Sequence, residues 1–232
     1  MNKSVQTWFI DELSLEVTVK RSSGAKRLRL KVSALDGSVT LSVPQGASDA
    51  QARLFLQEHF DWLRKHVSRA PEQQIVTIGG AVPIEGQLYD IEAGTGRGVT
   101  LDSARVIVGG DPKTAGRRIQ GYLKTRAHAV LLDASEFYAG KLGASFSKMT
   151  LRDTRSRWGS CTAQGALMYS WRLIMAPPDV LRYVAAHEVA HLAHLDHSPE
   201  FWACTERLYG QTQTARAWLR QEGIALHRYQ FD

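Results

Sequence analysis

Apolar and polar residues alternate through the first forty positions: Leu13, Leu15, Val17 and Val19, then Leu28, Leu30 and Val32, then Val39, Leu41 and Val43. A period of two belongs to a strand with one buried face, so three strands are predicted here, the last two joined by a turn at Asp36-Gly37. Pro44 and Gly46 close the third. The period then lengthens. Leu54, Phe55, Phe60, Trp62 and Leu63 mark the apolar side of a helix from about Asp49 to Val67, with Ser48 as its N-cap and Pro71 beyond its end. From Ile75 to Val108 short apolar runs return, broken by Gly79-Gly80 and Gly86, which predicts a small meander rather than βαβ units.

Gly109-Gly110-Asp111-Pro112 interrupts the pattern and predicts a boundary between an N-terminal β-rich subdomain, 1–110, and a second domain, 111–232. Beyond it, Ile119, Leu123, Val130, Leu131, Ala134, Phe137 and Tyr138 recur near helical spacing until Gly140 and Gly143. Ser145–Arg152 and Ala166–Trp171 read as two paired strands, with a turn over Arg155–Cys161 between them. Pro178 suits a first helical position, and no Gly or Pro occurs from there to Leu195, so one helix is expected through that stretch. Ser198-Pro199-Glu200 starts another helix, with Ser198 as N-cap. Gly210 and Gly223 end the last two. Strands first and helices later place the chain in the α+β class.

Composition narrows the setting. At 232 residues, with 44% hydrophobic and 22% charged residues, the chain can bury a full core as an ordinary globular protein. No apolar run approaches the roughly 20 residues that span a bilayer, so no membrane partner is expected. Asp11 and Glu12 stand where a secretory signal would be apolar. Two cysteines, Cys161 and Cys204, make a disulfide framework improbable and point to a reducing cytoplasm.

The net charge of +6 is unevenly spread. Lys20, Arg21, Lys26, Arg27, Arg29 and Lys31 form one basic run, Lys113, Arg117, Arg118, Lys124 and Arg126 a second, and Lys148, Arg152, Arg155 and Arg157 a third. Nucleic acid is one partner for such runs, but without an accompanying nucleic-acid motif the solvated-face reading is favoured.

Candidate chemistry concentrates in His187-Glu188-Val189-Ala190-His191. Residues four apart share a helix face about one turn apart, so His187 and His191 can reach one metal ion. Glu188 can face the open side and take a proton from water bound there. This is the H-E-x-x-H arrangement of zinc hydrolases, expected by chance in about 0.01 chains of this composition.

A catalytic zinc takes three protein ligands and one water, and three candidates compete for the third place. His194 on a continuing helix would lie about 10 Å along the axis from His187, too far for one ion, and could serve only if the helix broke just after His191. His197 falls after the expected helix end and before the Ser198-Pro199 restart, and is favoured. A downstream carboxylate, Glu206 or Glu222, is the third option. The His187-to-His197 spacing equals that of the metzincins, but His194 stands in place of their glycine and nothing downstream reads as their Met-turn. His59, His66, His128 and His227 have no partner at ligand spacing and read as surface or packing residues.

These motifs together resemble the YgjP-like metallopeptidase family, distantly related to the SprT-like zinc proteases. The residues carrying the likeness are Arg155-Ser-Arg-Trp-Gly-Ser-Cys161, Trp171-Arg172-Leu173-Ile174, Ala176-Pro177, Tyr183-Val184 and His197-Ser198-Pro199-Glu200-Phe201-Trp202, in order around the H-E-x-x-H. More weakly, the likeness reaches Arg21–Lys31. It implies a minimal zincin-like catalytic domain after the β-rich meander: a small sheet, a backing helix and an active-site helix, with one Zn2+ per chain held by His187, His191 and His197. This chain departs from the family in carrying Ser170 and Asp196 where asparagine is usual. Asp196 adds a negative charge beside the expected metal.

The function expected is zinc-dependent hydrolysis of peptide bonds in a polypeptide substrate, with a metal-bound water and Glu188 as general base. Arg155, Arg157, Trp158, Trp171 and Tyr183 are candidates for binding substrate or stabilising the transition state. Ala166–Trp171 is expected as an edge strand that receives the substrate backbone, with Arg157 or Tyr183 as oxyanion donor. Two other readings stand beside this one: a metal-dependent amidohydrolase of small substrates, and a zinc-containing nucleic-acid- or protein-binding module with little or no proteolysis.

Overall fold

Backbone contacts divide the chain between Gln73 and Gln74 in the computed structural model, which describes residues 5–33, 35–68 and 72–231. Residues 1–4 and Pro71, which was expected to follow the first helix, lie outside the described residues.

In the first unit, β1 (Val5–Ile10), β2 (Leu15–Ser22), β3 (Arg29–Val32) and β4 (Val39–Pro44) form one sheet in the order β1-β2-β4-β3. The alternation predicted for β2 and β4 is fulfilled: Val17, Val19, Val39, Leu41 and Val43 are buried, and Ala52, Leu56 and Leu63 pack onto the same core. β1 carries too little alternation to read, since only Trp8 and Ile10 turn inward. One expected helix is in fact two, α1 (Asp49–Gln57) and α2 (Phe60–Val67). Ser48 and Gln51 form a reciprocal capping box at the start of α1. At the break, the His59 ring donates from Nδ1 to the Phe55 carbonyl at 2.8 Å, and the His59 backbone N–H bonds the Leu56 carbonyl.

In the second unit, β5 (Gln74–Ile75) precedes β6 (Ala81–Ile84), β7 (Gln87–Gly94), β8 (Gly98–Asp102) and β9 (Arg105–Gly109). The last four form a sheet in the order β6-β7-β9-β8, with β7 and β9 parallel. The first unit repeats this device with β2 and β4 parallel, so neither sheet is the simple meander expected. Burial explains the insertion: Val106 and Val108 of β9 are fully apolar on their inner face and take the centre, while the half-buried Val99 and Leu101 of β8 suit an edge.

The boundary expected near Gly109–Pro112 falls inside this unit. Val106 and Val108 share one core with Ile119, Leu123 and Leu131 of α3 (Ala115–Leu142), because that helix backs both the β6–β9 sheet and the elements that follow. Gly143 ends α3 in the left-handed region at φ 73°, as its position predicts.

β10 (Lys148–Arg152), β11 (Gly159–Cys161) and β12 (Ala166–Ser170) form a three-stranded sheet in the order β10-β12-β11. Two expectations change here. β12 is the central strand, parallel to β10 and antiparallel to β11, and not the edge. The stretch taken as a turn before Cys161 contains that edge, β11. Leu167 and Tyr169 are large and fully buried, which puts β12 inside, whereas Gly159-Ser160-Cys161 is small enough to close the margin.

After a 3-10 turn at Trp171–Met175 come α4 (Pro178–Ala190), α5 (Pro199–Tyr209) and α6 (Gln213–Gln221). A second 3-10 segment, Gly223–Arg228, leads to β13 (Tyr229–Gln230), which pairs with β5 in parallel. No described helix is long and apolar enough to cross a membrane.

Candidate metal centre

α4 carries the site. Pro178 occupies its first turn, and Ala185, Ala186 and Ala190 are completely buried, small enough for the helix to lie close against the core. The helix stops at Ala190, with His191 as its C-cap, five residues before the end expected from the sequence. Nothing in side-chain propensity required that stop. The cause is visible in the geometry: the His191 Nδ1–H donates to the His194 carbonyl at 2.9 Å, which holds residues 191–194 in a turn.

The same bond settles the tautomer. A carbonyl only accepts, so Nδ1 of His191 carries the proton and Nε2 is left with a free lone pair. His187 stands one turn earlier, and the turn carries His197 back to it, Nε2 to Nε2 at 3.2 Å. Nitrogens of His187, His191 and His197 all lie within 4.8 Å of one another. The ring of Phe201, from the first turn of α5, stacks on His191 at 4.4 Å and meets His187 and His197 edge-on.

Burial, with the neighbouring imidazoles His191 and His197, pushes His187 down to about 3, so it is a neutral base at physiological pH. His191 is lowered as well, first by burial. Nδ1 of His187 is buried without a hydrogen-bond partner. Three imidazoles whose nitrogens converge suit a divalent transition metal.

His194 contributes its carbonyl to this arrangement and not its ring. Glu206 and Glu222 are exposed and stand outside the cluster. Asp196 is also exposed; its carboxylate accepts from the Ser198 N–H at 3.2 Å and so shapes the turn that returns His197.

Glu188 is buried, 5% exposed, immediately beyond His187. Burial raises its carboxyl to about 8, and the Arg157 guanidinium pulls in the opposite direction. Gly159 of β11 lies against it so closely that a Cβ there would be 2.5 Å from Glu188 Oε1. The half-buried Cys161, two residues along the same strand, has its thiol raised by burial and then by the Glu188 charge.

The remaining candidates divide. Arg155 and Arg157 are exposed on the loop before β11. Tyr183 is buried one turn before His187, its ring centre 5.9 Å from that imidazole. Trp158 is half-buried between Gly223 and His227. Trp171 is 1% exposed and packs edge-on against Phe231, so its substrate-binding role is replaced by a place in the core.

One functional arrangement escaped the sequence. Arg172, itself buried, donates from Nε and Nη2 to both Asp153 oxygens at 2.7 and 3.2 Å, and from Nη1 to the Leu226 and Tyr229 carbonyls at 2.9 and 3.0 Å. It ties the end of β10 to the C-terminal segment, and that segment, through Gly223 and His227, holds Trp158 next to Arg157 and Gly159. The signal was present in the Trp171–Ile174 motif and as an arginine in an apolar run, Trp171–Met175, where a charge requires partners.

A family model described as "YgjP-like, metallopeptidase domain" matches residues 26–222. No curated protein matches the chain. Among solved structures, the chain is similar to the crystal structure of the metallopeptidase zymogen of Pyrococcus abyssi abylysin, with a TM-score of 0.36 and 18% identity over 40% of this chain and 95% of that one.

Proposed function

Because the chain belongs to the YgjP-like metallopeptidase family, we propose that it is a zinc-dependent peptidase in which His187, His191 and His197 hold one ion and Glu188 is the general base. The observation that carries this reading is the convergence of three imidazole nitrogens beside a buried carboxylate. The 3.2 Å between Nε2 of His187 and Nε2 of His197 is close to the ~3.3 Å that two Zn–N bonds of ~2.0–2.1 Å span at a tetrahedral angle. Zinc bound there would supply Lewis-acid polarisation of the scissile carbonyl and of the attacking water.

Glu188 accepts the proton of that water and returns it to the leaving amine. Its burial favours the protonated form and Arg157 favours the charged form that a general base requires; an ion held by the neighbouring histidines would favour the charged form further. Exposed Arg157, near enough to Glu188 to act on its charge, is also placed to stabilise the developing oxyanion. Tyr183, buried beside His187, supports the helix behind the ligands.

The substrate class is an extended polypeptide. β11 is the margin of its sheet and begins at Gly159, against Glu188, so a peptide adding to that edge is drawn past the general base. The test compares wild-type protein with Glu188→Gln on an undirected peptide library, with zinc content measured on both. The variant should keep its zinc and lose activity by about 10²–10⁴-fold. Equal cleavage by the two proteins would end this reading.

A further inference from the structure

The first two basic runs meet different fates in the fold. Arg118 and Lys124 bond to Thr114 and Gln120 on their own helix, and Arg126 pairs with Glu85 at 2.7 Å. Arg21, in the first run, pairs with Asp49. Arg27 and Arg29 are exposed, and among the described residues no carboxylate pairs with either. They border a groove of 590 Å3 whose other walls are Leu28, Leu30, Phe55, His59 and Trp62.

The far wall holds the rings of Phe55, His59 and Trp62, and His66 stacks on Trp62 outside the groove lining. Phe55, His59, Trp62 and His66 are spaced by four, three and four residues, and so follow one side of α1 and α2. The His59 imidazole lies 4.3 Å from Phe55, and the His66 imidazole stacks on Trp62 at 4.2 Å and 26°. Both imidazoles are pinned by donating Nδ1–H to the carbonyl four residues earlier, at 2.8 and 2.7 Å. Trp62 is 38% exposed. Trp62 is thus paired with His66 and shares the groove lining with Arg27 and Arg29.

We propose that this groove of the first unit binds single-stranded nucleic acid, with Arg27 and Arg29 on the phosphates and Trp62 as the stacking platform for a base. Charge complementarity supplies the first half of the match, since Lys20 to Lys31 holds six cations and no acid. The rings supply the second. An acidic polypeptide would use the arginines and leave the aromatic faces idle, whereas every nucleobase has a flat face to stack. The site lies wholly within residues 27–62 and does not depend on the metal centre.

The test is fluorescence anisotropy of a labelled oligothymidylate of about 16 nucleotides, titrated with the full-length protein at rising salt. Binding should weaken steeply with salt and should quench tryptophan emission. Arg27→Ala with Arg29→Ala should weaken it by about tenfold or more, and Trp62→Ala by a similar factor, while Trp62→Phe keeps most of the affinity. Lys113→Ala with Arg117→Ala, exposed in the second run, should change nothing. Circular dichroism checks that each variant is folded; should Trp62→Ala fail that check, the arginine pair and Trp62→Phe decide. The proposal is overturned by absence of binding at low salt, by equal losses in the two basic-run variants, or by poly-glutamate competing as well as the oligonucleotide.

Discussion

Gly159 and Glu188 leave no room for a side chain between them: a Cβ on Gly159 would lie 2.5 Å from Oε1 and 2.6 Å from Cγ of the glutamate. The edge strand β11 and the helix α4 therefore touch at Glu188, the proposed general base. Gly159→Ala must push either the carboxylate or the strand aside, and neither is free, since the one is buried and the other is paired to β12. A displacement on the order of 1 Å costs about 10²-fold in a positioned catalyst. The expected result is a loss of kcat/KM of at least tenfold with full metal content. Unchanged kcat/KM in a folded, metal-loaded Gly159→Ala protein would show that Glu188 is not held by this contact.

His194 and His197 make opposite predictions. His194 acts through its backbone carbonyl, which fixes the proton on Nδ1 of His191, so His194→Ala keeps the bond and should keep the metal. His197→Ala removes one of the three converging nitrogens and should leave a weak two-histidine site. Elemental analysis after dialysis checks both: occupancy near that of wild type for His194→Ala and strongly reduced for His197→Ala. A reversal, with metal lost only from His194→Ala, would move the third ligand to residue 194.

These histidines also show what a sequence can carry. The placement of His187, Glu188 and His191 was legible because it follows from a spacing on one helix. His197 followed from the excess length of an unbroken helix and from the Ser198-Pro199 restart, both local facts. The actual end of α4 was not legible, because it is set by a ring-to-carbonyl bond across the turn and not by any Gly or Pro. Strand periods were right for β2, β3, β4 and β12, and β12 was rightly paired with β10, but its second neighbour, β11, was missed. Alternation shows which face of a strand is buried, not which strand lies beside it. Gly159 was visible only as a member of the Arg155–Cys161 motif, without a reason, since the need for a missing side chain arises only when Glu188 arrives opposite it.

Arg172 is expected to matter more for stability than for chemistry. Its guanidinium donates four hydrogen bonds while almost fully buried, two to Asp153 and two to carbonyls of the C-terminal segment. Arg172→Met fills similar volume but strands the Leu226 and Tyr229 carbonyls and leaves Asp153 without its partner. The loss should be on the order of 2–4 kcal/mol. Denaturant unfolding of the variant measures it. A change below about 0.5 kcal/mol would place the hold on the C-terminal segment elsewhere, since that is the scatter of inert surface substitutions.

His227 sets a pH dependence of stability. Burial, with Arg172 close by, pushes its imidazole down to about 4, although Asp153 pulls the other way. The unfolded chain, with an ordinary histidine near 6.5, therefore binds a proton at a higher pH than the folded chain does. Above about pH 6.5 both states are neutral and the group has no effect. As pH falls from there towards 4, the unfolded state gains a proton that the native state refuses, so stability declines by at most about 1.4 kcal/mol per pH unit. Below 4 both states are charged and this contribution levels off. Asp153, held low by Arg172 once its own burial is overcome, adds a loss only at more acid pH, as the carboxylate protonates and releases the guanidinium. His227→Phe removes the first of these effects and keeps a ring against Trp158. Unfolding free energies of wild type and His227→Phe, measured from pH 7 to pH 4, should diverge as pH falls, with wild type the steeper of the two; the metal ligands, common to both proteins, cancel in the difference. Parallel curves would mean that His227 is protonated in the folded protein and that its burial against Trp158 imposes no such cost.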